Sequence, residues 1–230
     1  ETGMILGELA FLRRKLRALM KPRRAQCELS FFPAKGRVYP EPFGVCLIMA
    51  PWNYPLNLSL IPLADAVAAG NCVMLKPSSR APATAAMLEE IIAECFDFGH
   101  VCLALGKGEE TGAALLAGKW DFIFYTGSAR VGREVMTAAA RHLTPICLEL
   151  GGKSPVIVAA DADIALTARR IAWGKMLNAG QTCVAPDYIL VAGEVKDKLV
   201  AALAAELAAF PGEGKAALHN PDYCRIVSKQ

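Results

Sequence analysis

Residues 44–79 read GVCLIMAPWNYPLNLSLIPLADAVAAGNCVMLKPSS. The apolar run Val45–Met49 has the length of a strand and no polar face, as in a strand buried on both sides. Pro51 and Pro55 then interrupt the chain. A helix-like run follows over Leu58–Ala69, and a second apolar strand over Cys72–Lys76. Strand, loop, helix, strand is the repeating unit of a parallel sheet covered by helices. Pro51, Pro55, Pro62 and Asp65 exclude a membrane span over the same stretch.

Working outward, the alternation continues. Strand-like runs occupy Val101–Leu105, Phe122–Tyr125 and Ile146–Leu150. Helix-like runs lie near Ala83–Phe96, Glu109–Leu116 and Arg130–His142. After Gly151 come strand Val156–Ala159, a helix, strand Tyr188–Val191 and helix Val195–Ala209, stopped by Phe210-Pro211-Gly212. In front, residues 4–20 predict a basic amphipathic helix ending before Pro22, and Phe31–Pro42 an extended connector. The fold class is α/β, with a Rossmann-like parallel sheet, helices on both faces, and ligands at the carboxyl ends of the strands.

The 230 residues are 54% hydrophobic and 20% charged, which excludes a disordered chain. A net charge of +3 is too small to argue for a nucleic-acid partner. Much of it sits in Arg13, Arg14, Lys15, Arg17, Lys21, Arg23 and Arg24, which read as a solvated face. The eight cysteines are single, without a Cys-x-x-Cys pair, and fit a reducing, cytoplasmic location. Cys46, Cys72 and Cys147 lie in apolar runs and read as core. His100, His142 and His219 have no metal-ligand spacing, so no metal is expected. Charges throughout residues 1–24 argue against a signal peptide. The start at Glu1-Thr2-Gly3 reads as that of a fragment or a processed chain.

Three stretches carry chemistry. In Asn178-Ala-Gly-Gln-Thr-Cys183-Val-Ala-Pro186 a cysteine sits in a polar, glycine-hinged turn. Asp161 and Asp163 can cap the helix ahead of it, and Asn178 and Gly180 let that helix stop. A cysteine is usually a small buried apolar residue; the neighbours Asn, Gln and Thr do not suit that role. The dinucleotide pattern Gly-x-Gly-x-x-Gly is missing. Its nearest substitute is Tyr125–Gly132, which follows a strand and opens a helix. There Gly127 permits close backbone approach and the helix N-terminus offers N–H groups to a pyrophosphate. Glu149 ends an apolar strand before Gly151-Gly152, a setting in which partial burial raises a carboxyl pKa to a useful value.

Five stretches occur in order: PWNYP at 51–55, KPSS at 76–79, FYTGS at 124–128, ELGGK at 149–153 and NAGQTC at 178–183. Together they resemble the aldehyde dehydrogenase superfamily. PEPFGV, IAWGKMLNAGQTC and APDYILV are similar to its class 3 branch, which acts on fatty and aromatic aldehydes. The resemblance implies an NAD(P)-binding domain over 1–150 and a partial catalytic domain with the nucleophilic cysteine over 151–230. It implies oxidation of an aldehyde to the acid through a cysteine thiohemiacetal and thioester, with NAD or NADP. Cys183 is then the nucleophile, Glu149 the base and Asn53 the oxyanion donor. Lys76 faces the adenosine ribose, and Ser79 stands where the family pattern usually has Glu. Gly127, Ser128 and Gly132 belong to the pyrophosphate turn. Trp52 and Leu150 join the cofactor-binding residues, Gly152 and Trp52 shape the site, and Thr126 and Gln181 pack around the cofactor and the cysteine loop.

The resemblance further implies a homodimer in the full-length form and an aldehyde as the small-molecule partner. It assigns any membrane association to segments outside this stretch. The family's glutamate–phenylalanine motif for the nicotinamide ribose is not found after Cys183, so the chain reads as truncated, with exposed apolar surface. An alternative is a catalytically inactive nucleotide-binding fragment or scaffold that acts with a full-length partner. A non-redox acyl transferase using the same thiolate is a third reading.

Overall fold

The computed structural model describes residues 1–209, 220–221 and 223–228. They fall into two compact units, Glu1–Glu149 and Leu150–Gln230. In the first, helix α1 (Thr2–Leu19) precedes a short hairpin of β1 (Arg23–Ala25) and β2 (Gly36–Val38). The α/β alternation then runs β3 (Val45–Met49), α2 (Asn57–Ala68), β4 (Cys72–Lys76), α3 (Pro82–Cys95), β5 (Val101–Leu103), α4 (Gly108–Leu116), β6 (Phe122–Gly127), α5 (Ala129–Ala140) and β7 (Ile146–Leu150).

The sheet order is β5-β4-β3-β6-β7. The pairs β3–β4, β3–β6 and β4–β5 are parallel. The chain steps outward from β3 to β5, then returns to place β6 on the other side of β3. Right-handed crossovers therefore put α2 and α3 on one face, and α4 and α5 on the other. Cys46, Ile48, Val73 and Leu75 pack with Leu63 of α2 and Ile92 of α3. Val135 and Ala139 of α5 are buried, and a Cβ on Gly112 of α4 would lie 3.7 Å from the Cε of Met49. The strand order reverses between β3 and β6, and sheets of this kind hold ligands at the carboxyl ends of the strands that flank such a reversal.

Strands β3 and β4 have the bounds their apolar runs predict. The Phe31–Pro42 connector is not wholly extended, because a 3-10 turn over Leu29–Phe31 runs into it and the Ala34 N–H donates to the Phe31 carbonyl; Gly36–Val38 then pairs antiparallel with Arg23–Ala25. All three residues of β1 are exposed and two of β2 are, so no apolar alternation marks the hairpin. Of the three cysteines read as core, only Cys46 is fully buried; Cys72 and Cys147 are half-buried. Cys72 opens its strand, and Cys147 lies in the edge strand β7.

The second unit is a β-α-β-α segment. β8 (Ser154–Val158) pairs parallel with β9 (Pro186–Val191) across helix α6 (Ile164–Met176), and α7 (Lys196–Ala209) follows. Asp163 caps α6 as expected, its Oδ1 accepting from the Leu166 N–H at 3.0 Å. Val158, Ala168, Val195 and Leu199 form the core. On the opposite face of the two strands, the register partners Ile157 and Leu190 are 78% and 54% exposed. The Phe210-Pro211-Gly212 stop and His219 lie outside the described residues. Among the described residues no helix is long and apolar enough to cross a membrane.

Candidate active site

Met49, Lys76 and Tyr125 end in one row of the sheet, Met49 pairing with Lys76 on one side and Tyr125 on the other. The Ala50 N–H continues the row by donating to the Lys76 carbonyl at 3.0 Å. Three loops leave this row: the Trp52-Asn53 loop, the Lys76–Ser79 loop and the Gly127-Ser128 turn.

Lys76 is buried, at 7% exposure, and burial pushes its ammonium pKa below the usual lysine value. It takes part in none of the ion pairs found among the described residues. A buried cation of this kind disfavours its own charge unless an anionic or polar group meets it. Ser79 is exposed and lines a hollow of about 340 Å³ with Pro77, Ala85, Glu89, Leu105 and Lys107. The hollow lies between the start of α3 and the β5–α4 connection. A Cβ on Gly108 would come within 3.2 Å of the Ser79 Oγ. Two charged residues, Glu89 and Lys107, line the hollow; Lys107 is brought there by the strand order from 28 residues along the chain.

Ser128 caps α5, its Oγ accepting from the Val131 N–H at 3.4 Å. Gly132 is buried in the first turn of that helix. Gly127 is required by a neighbour that sequence reasoning missed. The phenol of Tyr125 covers its Cα, so any Cβ there would run into the ring. The Tyr125 hydroxyl donates to the Ser128 carbonyl at 3.2 Å, and burial raises its pKa. Thr126 is half-buried in the same turn.

Trp52 and Asn53 are half-buried in the loop after β3. The following residues are tied to α2: the Leu58 N–H donates to the Tyr54 carbonyl at 3.0 Å, and the Ser59 hydroxyl to the Pro55 carbonyl at 2.6 Å. Asn57, at 7% exposure, leaves its Oδ1 without a partner among the described residues. A buried unpaired acceptor typically costs about 1–3 kcal/mol. The Glu1 carboxylate accepts from the Leu56 and Asn57 N–H groups at 3.0 and 2.7 Å. Nothing in the sequence pattern announces this last contact.

Glu149 is exposed near the end of β7, contrary to the partial burial read from its apolar run. A strand at the sheet edge has a neighbour on one side only, which leaves its end open. Leu150, which begins the second unit, is half-buried.

In the second unit, Cys183 is exposed on the loop between α6 and β9. Asn178, Ala179 and Gly180 take φ values of 51°, 54° and 75°, all left-handed. Asn and Gly suit that region; alanine is strained there. Gln181 locks the turn. Its Nε2 donates to the Asn178 and Arg225 carbonyls at 3.0 and 3.1 Å, and its Oε1 accepts from the Val227 N–H at 3.0 Å. A Cβ on Gly152 would come within 2.9 Å of the Cys183 carbonyl oxygen. Among the described residues no group of three or more His, Cys, Asp or Glu is placed to hold a metal.

The family model described as "Aldehyde dehydrogenase family" matches residues 11–223. The chain belongs to the aldehyde dehydrogenase family. As an aldehyde dehydrogenase chain it is 45% identical over 230 residues to human aldehyde dehydrogenase family 3 member B1, covering 100% of itself and 48% of that protein. It is 45% identical to Arabidopsis thaliana aldehyde dehydrogenase family 3 member H1, covering 99% of itself and 47% of that relative. Among solved structures, a substrate-bound Staphylococcus aureus AldH is 42% identical, with a TM-score of 0.92, over 99% of this chain and 49% of that one. A Mycobacterium tuberculosis aldehyde dehydrogenase complexed with NAD+ is 34% identical, with a TM-score of 0.81, over 89% and 42%. This dehydrogenase chain thus spans about half the length of the curated relatives it matches.

Proposed function

We propose that this chain carries the cofactor-binding and nucleophile-bearing parts of an NAD(P)-dependent aldehyde dehydrogenase that oxidises a fatty or aromatic aldehyde to its acid. Residues 1–150 act as the cofactor domain and 151–230 as the part of the catalytic domain that holds Cys183. The observation that carries the reading is the buried Lys76, without an ion-pair partner among the described residues, at the end of β4. It shares a strand-end row with the Asn53 loop and the Ser128-capped turn. The hollow beside Ser79 has the size typical of small-molecule sites, about 300–1,000 Å³.

Lys76 would bind the adenosine ribose, Ser79 and Lys107 its outer edge, and the Gly127–Gly132 turn the pyrophosphate. Trp52 and Leu150 would line the reacting end. With Ser79 in place of a carboxylate, residue 79 does not repel a 2′-phosphate; of the charged groups that line the hollow, Lys107 attracts one and Glu89 opposes it. NADP should therefore be accepted at least as well as by relatives with Glu there. When bound, the nicotinamide supplies the acceptor for the hydride that the substrate carbon gives up.

The chain's own residues do the rest. The Cys183 thiolate adds to the aldehyde carbon and makes a tetrahedral thiohemiacetal. Its oxyanion takes hydrogen bonds from the Asn53 amide and the Cys183 N–H, each such donor being worth roughly 3 kcal/mol. Once hydride has left, the acyl group remains on Cys183 as a thioester. Glu149 takes a proton from water, the water attacks the thioester, and the acid leaves as the thiolate returns. The family resemblance also assigns a homodimer in the full-length form; the single cysteines suit a cytoplasmic location, and a net charge of +3 gives no reason to expect a nucleic-acid partner.

The test is aldehyde-dependent formation of reduced nicotinamide with long-chain and aromatic aldehydes. Cys183→Ala should abolish it and leave cofactor binding intact. Cofactor binding without turnover in the parent chain would replace this reading with an inactive nucleotide-binding one.

A further inference from the structure

Glu1 stands at two helix starts. Its carbonyl accepts the Met4 and Ile5 N–H bonds that open α1, and its carboxylate accepts the Leu56 and Asn57 N–H bonds that open α2. The helices run in the same direction, because Glu1 meets Asn57 at their starts and Glu8 of α1 acts on Asp65 further along α2. The Glu1 carboxylate therefore sits at the positive end of α2, where two backbone N–H groups lack partners within the helix. Ile5, the buried residue of α1, seats the helix one turn beyond Glu1.

The α2 start is also the floor of the Asn53 loop. Tyr54 and Pro55, the two residues after Asn53, each give their carbonyl to the first turns of α2. Leu56 and Asn57 are the next residues, and their N–H groups go to Glu1. The helix has no side-chain cap of its own. Asn57 is buried, and its Oδ1 has no partner among the described residues.

We infer that Glu1 is a positioning residue for the oxyanion donor: its carboxylate holds the start of α2 and so sets the loop that aims Asn53. The inference rests on the reading of Asn53 given above. Removing the carboxylate frees two N–H groups three and four residues after Asn53, lets the first turn of α2 fray, and lets the amide drift. A drift of this kind affects the charge that develops in the transition state more than ground-state binding.

The experiment is a double-mutant cycle in the full chain, with Glu1→Ala, Glu1→Gln, Asn53→Ala and the two combinations with Asn53→Ala. Glu1→Ala should lower kcat about tenfold, with aldehyde KM and cofactor affinity changed less than twofold. Glu1→Gln, which keeps one acceptor oxygen, should recover part of the loss and controls for folding. In the Asn53→Ala background either Glu1 substitution should cost nothing further. Amide hydrogen exchange at residues 56–58 should speed up in Glu1→Ala whatever the turnover. An undiminished kcat in Glu1→Ala, an equal loss with and without Asn53, or unchanged exchange would overturn the inference. No loss of kcat in Asn53→Ala alone would instead sink the oxyanion reading, and this inference with it.

Discussion

The carbonyl oxygen of Cys183 faces the Cα of Gly152 so closely that a Cβ there would stand 2.9 Å away. The first loop of the second unit is thus built against the backbone of the cysteine. The contact involves main chain on the cysteine side, so it cannot be relieved by a rotamer change.

Gly152→Ala should therefore displace the nucleophile loop. We expect kcat to fall roughly 10- to 100-fold, the range that follows from misplacing a reacting group by about 1 Å, with NAD(P) affinity unchanged. Steady-state kinetics beside calorimetric titration of the cofactor reads both quantities. Parent-like kcat would show that the loop tolerates the shift.

The turn ahead of Cys183 stores strain at Ala179, whose φ is 54°. Ala179→Gly should stabilise the protein by about 1 kcal/mol, because glycine enters the left-handed region freely. Gln181→Ala should act in the opposite sense, by about 1–3 kcal/mol, since it leaves the Asn178 and Arg225 carbonyls and the Val227 N–H without their amide partner. Chemical denaturation gives the two signs, and limited proteolysis at 178–186 should follow them.

Burial of the Lys76 ammonium opposes stability, while the proposed reading gives the residue a role in cofactor binding. Its folded pKa lies below the unfolded value of 10.5, so the folded state holds its proton less tightly. Between the two values the unfolded chain binds more protons, and this group's contribution to stability rises with pH. Below that window the full cost of burying the charge is present. Lys76→Met should stabilise the protein by about 0.5–2 kcal/mol at neutral pH, and the gain should shrink as the pH approaches 10.5. Its cofactor affinity should fall at least tenfold. Melting curves across pH, paired with binding titration, check both halves; a variant that is less stable at neutral pH contradicts the burial argument.

Ser79→Glu would place a carboxylate in the hollow that Lys107 also lines. We expect NADP affinity to drop tenfold or more while NAD binds as well or better. Fluorescence titration with each cofactor decides it, and equal losses for both would mean that residue 79 does not meet the ribose.

Much of this was legible in order along the chain. The runs Val45–Met49 and Cys72–Lys76 became strands with the predicted bounds, because a strand buried on both faces is a nearly continuous apolar run, here broken only by Lys76 at the end of the second. Asp163 could be named as a helix cap from its place before Ile164, since capping is a contact across three residues. The hairpin at Arg23–Val38 escaped notice because its strands are mostly exposed and three residues long. The expected burial of Glu149 failed because its neighbours along the chain do not tell which edge of the sheet its strand occupies.

Local spelling by itself determined most of the α/β elements, the helix stop at Asn178 and Gly180, and the motifs by which the chain resembles its family. These depend on backbone preference and on patterns a few residues wide. Only the tertiary structure decided what meets across distance: Glu1 at the start of α2, Lys107 beside Ser79, and Gly152 against Cys183. Strand order and crossover handedness set those meetings, or the packing of one turn on another, and no window of sequence contains either.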